Sequence, residues 1–142
     1  MLKFRGITCG TEDFVYGNGV FNEDENIYVL DDAGNYYRIE PETYSIGYPV
    51  FGTECVYVGD IIRYTFKHKS DYYNVYYVVK ETGNVPFLEE MYRDYEINED
   101  MNPVRCKSYS EKGKVKPLTT LSVIKEVYKV IGDIWHNKEE LT

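Results

Sequence analysis

DIIRYTFKHKSDYYNVYYVVK, Asp60 to Lys80, is the stretch whose reading decides the fold. In its first half Ile62, Tyr64 and Phe66 fall on one side of an extended chain, and Arg63, Thr65 and Lys67 fall on the other. That is the period of a half-buried β-strand. The second half places Tyr73, Val75, Tyr77 and Val79 on one side, and Tyr72, Asn74, Tyr76 and Val78 on the other. Neither side is plainly polar, so this strand is covered on both faces, or its tyrosine-rich face meets a second lobe or another subunit. The intervening His68 to Asp71 supplies the turn, and a mainly β chain is the first expectation.

Towards the N-terminus, NIYVLDDAGNYYRIE carries two β-prone runs, Ile27 to Leu30 and Tyr36 to Ile39, around five turn-forming residues. This predicts a hairpin. Towards the C-terminus the strand pattern stops after Gly83 and Asn84. There Pro86, early acids, and Phe87, Met91 and Tyr95 at spacings of four predict a short helix. The run RCKSYSEKGKVKPL predicts two short strands around a turn at Lys112 and Gly113, and a helical turn with Leu121 and Ile124 then precedes a final strand near Val127 to Trp135. Gly-Asp-Ile occurs twice, at Gly59 to Ile61 and Gly132 to Ile134. Glycine at a strand start or bulge, with an aspartate able to bond nearby amides, explains the echo without a duplicated active site.

The composition is that of a globular chain, with the unusual balance of sixteen tyrosines to six phenylalanines, which implies many half-buried positions. The net charge is −8, with nine acids and three bases in residues 1–45. An acidic surface disfavours sequence-independent binding of nucleic acid by the whole molecule, although Arg105 to Lys116 holds five bases and one acid. Cys9, Cys55 and Cys106 are far apart and odd in number, which points to reduced thiols in an intracellular protein. No apolar run has the length of a signal peptide or a membrane span, so a soluble protein is expected.

Catalytic motifs are lacking. There is no nucleophile elbow, P-loop or Rossmann glycine pattern, and the cysteines and the two histidines lack zinc-ligand spacing. A calcium loop counted from Asp31 has Glu42 in twelfth place but Tyr36 where glycine is required. No catalytic residue, metal or cofactor is therefore predicted. Asp60 and Asp133 are expected to serve as caps or bulge ligands rather than as an acid/base pair.

Four stretches together carry a family resemblance: KFRGI (Lys3 to Ile7), FVYG (Phe14 to Gly17), VYVGDII (Val56 to Ile62) and EVYKVIGDIWHNKEEL (Glu126 to Leu141). In order and spacing the chain resembles the YopX family of bacteriophage and prophage proteins. It departs in having Gly6 for a common alanine, Val58 for a usual glutamate and Asp133 for asparagine, and in a long stretch from Val85 to about Leu118. The resemblance implies an N-terminal β region, residues 1–46, joined to a C-terminal SH3-like barrel, residues 47–142, with a helix and hairpin inserted at about 85–118. It also implies a bacterial cytoplasm as the setting, and it supplies no catalytic residue.

The expected role is a non-enzymatic phage accessory protein that binds protein and self-associates, since its two regions differ in charge and strand 72–80 carries tyrosine on both faces. Tyr72, Tyr76 and Trp135 are the candidate interface residues. The alternative is a nucleic-acid-associated module using Arg63, Lys67, Arg105, Lys107, Lys112, Lys114 and Lys116, with exposed tyrosines for stacking.

Overall fold

The computed structural model describes residues 3–51, 54–68, 71–99, 102–119, 121 and 128–141; side chains within the strands are left undescribed at 51, 67, 68, 71, 72, 96–99 and 102–105. The chain is mainly β, with only short helical turns among the described residues. It divides into two units, Met1–Val58 and Gly59–Thr142. A boundary at 46 would instead cut through the strand Ser45–Phe51, which is hydrogen-bonded on both sides within the first unit.

The first unit contains two antiparallel sheets. One orders β2 (Phe14–Gly17), β1 (Lys3–Ile7), β6 (Ser45–Phe51) and β7 (Glu54–Tyr57) as β2-β1-β6-β7; the other is the meander β3 (Gly19–Glu23), β4 (Asn26–Leu30) and β5 (Tyr36–Ile39). The predicted hairpin is β4–β5, in register from Ile27 opposite Ile39 to Leu30 opposite Tyr36. Val29 and Ile39 point to the same side of this meander and are essentially inaccessible to solvent. Arg5, in the centre of β1, is buried with its guanidinium over the rings of Phe14 and Tyr57, at 4.2 and 4.7 Å. A charged side chain is tolerated there because the ring faces offer negative potential in place of water. The turn Pro41–Thr43 is tied down by Thr43, whose hydroxyl accepts the Ile7 amide at 2.8 Å and donates to the Glu40 carbonyl.

The β3–β4 hairpin turns on Asp24 and Glu25, both with positive φ, 49° and 68°. A two-residue turn of this hand matches the twist of the strands, but it suits Asn-Gly far better than Asp-Glu. Substituting Asp24→Asn together with Glu25→Gly is expected to stabilise the protein by about 1 kcal/mol, read as a higher urea midpoint at unchanged slope.

The second unit is one sheet built from β8 (Asp60–His68), β9 (Asp71–Thr82), β10 (Val85–Glu99), β11 (Asn102–Ser108), β12 (Val115–Pro117) and β13 (Tyr128–Asp133). Its order is β11-β10-β9-β8-β13, with β12 also on β10. The opening stretch of sequence is thus the β8–β9 hairpin, paired from Ile61 opposite Val78 to His68 opposite Asp71. Val75 to Val79 are all buried, so β9 is covered on both faces within the chain.

The helix predicted at Pro86 is absent. Those residues form β10, joined to β9 by a two-residue turn in which Gly83 and Asn84 both take positive φ. Between Glu90 and Tyr92 the register slips, leaving Met91 as the extra residue of a β-bulge. The bulge moves the even-numbered residues from one face to the other: Leu88 and Glu90 lie opposite Val79 and Tyr77, whereas Tyr92 and Asp94 lie opposite Tyr76 and Asn74. A simple alternation is therefore invisible in the sequence.

The predicted hairpin at 105–118 is also corrected. Its two strands, β11 and β12, exist but do not pair with each other; both run antiparallel along the same edge of β10, one after the other. The loop between them closes onto the bulge, since the Glu90 amide donates to the Lys114 carbonyl at 2.8 Å and the Gly113 amide donates to the Glu90 carbonyl at 2.9 Å. The segment expected to be an insertion thus forms the body and one edge of the sheet. The final strand falls where predicted, and Leu121 is buried in a helical turn, but Ile124 lies outside the described residues.

On the Ile62 face lie Tyr64, Val75, Tyr77, Val79 and Leu88, all buried. Burial, reinforced by the nearby Glu90 carboxylate, pushes the Tyr77 hydroxyl up to about 12. At neutral pH this tyrosine is un-ionised whether the chain is folded or unfolded. Between about pH 10 and 12 the unfolded chain loses the proton while the folded chain keeps it, so stability falls as pH rises through that window, by about 2 kcal/mol. Tyr77→Phe is expected to lose less stability than the parent between pH 9 and 11.5, as measured by urea unfolding.

Candidate functional site

Of the three candidate interface residues, the structure describes the side chains of Tyr76 and Trp135. Tyr76 is buried, stacked on Tyr92 at 4.4 Å between ring centroids, and its hydroxyl donates to Asp94 at 2.9 Å. It belongs to a core cluster with Ile61, Val78, Met91 and Tyr92. Trp135 is half-buried against Gly59, and the Tyr72 side chain lies outside the described residues.

The candidate basic residues are divided between the two faces of the sheet. Lys107 sits over the Tyr92 ring at 4.5 Å, on the face that also carries Arg63 opposite Tyr76 and Lys129 opposite Arg63. Lys112 lies 6.0 Å from the centroid of Tyr109, whose ring contacts Tyr92. Lys116 turns to the other face, 5.9 Å over Phe66, and Lys114 pairs with Glu111. The side chains of Lys67 and Arg105 lie outside the described residues. Lys112, Lys114 and Lys116 do share an edge: from Tyr109 to Pro117 every residue except Glu111 is exposed, including Val115 at 63%.

The two Gly-Asp-Ile copies are cross-strand neighbours, with Asp60 opposite Asp133 and Ile61 opposite Gly132. The first opens β8; the second closes β13 beside the register shift between Val130 and Gly132, so one copy stands at a strand start and the other at a bulge. The Asp133 carboxylate accepts the amides of Trp135 and His136, each at 2.9 Å, and meets Nδ1 of His136 at 2.9 Å. In return Oδ1 of Asn137 accepts the Asp133 amide. An aspartate bonded in this way organises a turn, as the sequence implied.

In the first unit the Asp31 carboxylate, which would open a calcium loop, accepts the amides of Ala33 and Asn35 at 3.0 and 2.9 Å, and the Asn35 bond leads in holding it below the usual carboxylate range. Among the described residues no three His, Cys, Asp or Glu side chains are grouped to hold a metal, and no helix is long and apolar enough to cross a membrane. Cys9, Cys55 and Cys106 are free thiols, all partly accessible.

A surface that the sequence reading missed lies on the β3–β4–β5 meander. The face opposite Val29 and Ile39 presents Phe21, Tyr28, Leu30, Tyr36 and Arg38. Phe21 stacks on Tyr28 at 5.1 Å, and Tyr36 stands edge-on to both at 5.7 Å. Tyr36 is 62% exposed, while Phe21 and Tyr28 are half-exposed. Glu23, Asp24 and Glu25 border this face at one end and Asp32 borders it at the other. The available signal was the register of the predicted hairpin, which sets Tyr28 and Tyr36 on one side; placing Phe21 there required recognition of β3. Compared with protein-family models, with curated proteins and with solved structures, the chain matches none.

Proposed function

We propose that the protein is a YopX-like phage or prophage accessory protein that acts by binding protein, first of all a second copy of itself, and performs no catalysis. The observation that carries this reading is the ring cluster of the exposed Tyr36 with the half-buried Phe21 and Tyr28, beside the exposed Arg38. Aromatic residues and arginine gathered at one solvent-facing patch are the composition of a protein interface, whereas isolated apolar residues on a surface need no explanation. Charge favours the same reading: residues 1–58 carry ten acids and three bases, and residues 59–142 are nearly balanced at fourteen acids and thirteen bases.

The second unit is read as an elaborated SH3-like barrel. Support comes from the succession of β8, β9, β10 and β11 in sequence order, with β13 returning beside β8, an arrangement suited to curling a sheet towards closure. Sedimentation velocity tests the functional reading. Association is expected to grow with protein concentration in low salt and to weaken at roughly 1 M salt, where the Debye length is about 3 Å. A monomer at high micromolar concentration in low salt would remove the reading.

A nucleic-acid-associated module is the second reading, favoured by one observation: the exposed Tyr109 ring lies beside Lys112 and contacts Tyr92, a buried ring that Lys107 covers. It predicts binding of single-stranded oligonucleotides that falls steeply with salt.

A further inference from the structure

We infer that the aromatic face of the meander is a receptor for the lysine-rich edge, Lys112 to Pro117, of a second copy of this chain. This rests on the self-association reading above and names both of its surfaces. The edge KGKVKP has no acid, all six residues are exposed, and Val115 stands among three lysines. The face has the complementary make-up. Its rings can take an apolar side chain and lysine stems, and four of the meander's five acids, Glu23, Asp24, Glu25 and Asp32, meet the ammonium groups, with Arg38 the meander's one base. Lysines of this edge already settle over rings of their own chain, as Lys112 does over Tyr109 and Lys116 over Phe66, so the chemistry of the contact has examples inside the fold.

Because the two surfaces differ, the contact is heterologous. Each copy offers one face and one edge, so association continues head to tail into rings or open chains instead of stopping at a symmetric dimer. A nucleic acid would use the edge but not the acidic aromatic face, and an unrelated protein partner would use the face but not the edge.

Two variants test the inference: Tyr28→Ala with Tyr36→Ala disables the face, and Lys112→Glu, Lys114→Glu and Lys116→Glu together disable the edge. All these positions are exposed or half-exposed, and thermal melts establish that both variants fold. Each variant alone is expected to self-associate roughly tenfold more weakly than the parent, or less. Mixed in equal amounts, the two are expected to form a 1:1 dimer that grows no further, because one intact face and one intact edge remain between them.

A parent protein that associates while either variant associates equally well would overturn the pairing and leave self-association standing. Failure of the mixture to form a dimer would overturn it as well, and a parent that stays monomeric would remove both claims together. Loss of single-stranded oligonucleotide binding in the edge variant, with self-association unchanged, would assign that edge to the second reading.

Discussion

Gly59→Ala is expected to destabilise the second unit by about 3 kcal/mol, the sum of a left-handed backbone forced on a residue with a side chain and of a core contact that must give way. Gly59 has a φ of +95°, and a Cβ built there would lie 2.6 and 2.7 Å from two ring atoms of Trp135. The backbone cannot simply move aside. The Gly59 amide donates to the Val79 carbonyl at 2.8 Å, and its own carbonyl accepts the Ile134 amide at 2.9 Å, so this residue joins β9 to the turn after β13. In the melting temperature the loss corresponds to a fall of roughly 10 °C. The ring contribution separates from the backbone contribution in a Trp135→Ala background, where adding Gly59→Ala is expected to cost only about 1–2 kcal/mol. A change within about 0.5 kcal/mol in the parent background would contradict this account of the Gly-Asp-Ile corner.

Arg93→Met is expected to cost about 3 kcal/mol, although the arginine is itself partly exposed. Its partner decides the size of the effect. Glu90 is 2% exposed and receives two parallel bonds from the guanidinium, from Nε to Oε2 and from Nη2 to Oε1, each 2.9 Å. The same pairing holds the Arg93 guanidinium more firmly protonated than usual. Without it, a carboxylate stays buried beside Tyr77 with its strongest donors gone. The double variant Glu90→Met with Arg93→Met is expected to recover most of the loss, because no buried charge remains. Urea unfolding of the parent, the single variant and the double variant checks both statements. A single variant that loses less than about 1 kcal/mol, or a double variant that is worse than the single, would show that the pair does not carry the bulge region.

The strands were legible wherever alternation ran unbroken. Ile62, Tyr64 and Phe66 keep one face along β8, and Ile27 to Ile39 form the hairpin that their turn residues announce. The misreading at Pro86 has a definite cause. Phe87, Met91 and Tyr95 are spaced by four, as on a helix, but Met91 is the extra residue of a bulge, and Glu90 is a buried acid where a core strand is expected to be apolar. A one-residue slip flips every later side chain, so counting in twos fails across it. The Gly83-Asn84 pair was a hairpin signal in plain view, read as an end instead of a turn.

The site was less legible than the fold. Tyr76 looked available because a tyrosine-rich strand face suggests a partner, yet the partner is Tyr92, and Asp94 takes its hydroxyl. The bases of the Arg105 to Lys116 stretch are close in sequence, yet Lys107 and Lys116 lie on opposite faces, because their partners on β10, Asp94 and Leu88, stand on either side of the bulge. Conversely, Phe21, Tyr28 and Tyr36 are scattered in sequence and gathered by register. Only knowledge of which strands pair brings them together.

Amide hydrogen exchange of the unmodified protein, measured below and above the concentration at which it associates, tests the central claim most directly. The account predicts that protection rises with concentration in two places, the β3–β5 meander at residues 19–39 and the edge at residues 109–117, and falls back in both at high salt. Exchange independent of concentration in both segments, or protection gained only elsewhere in the chain, would contradict it.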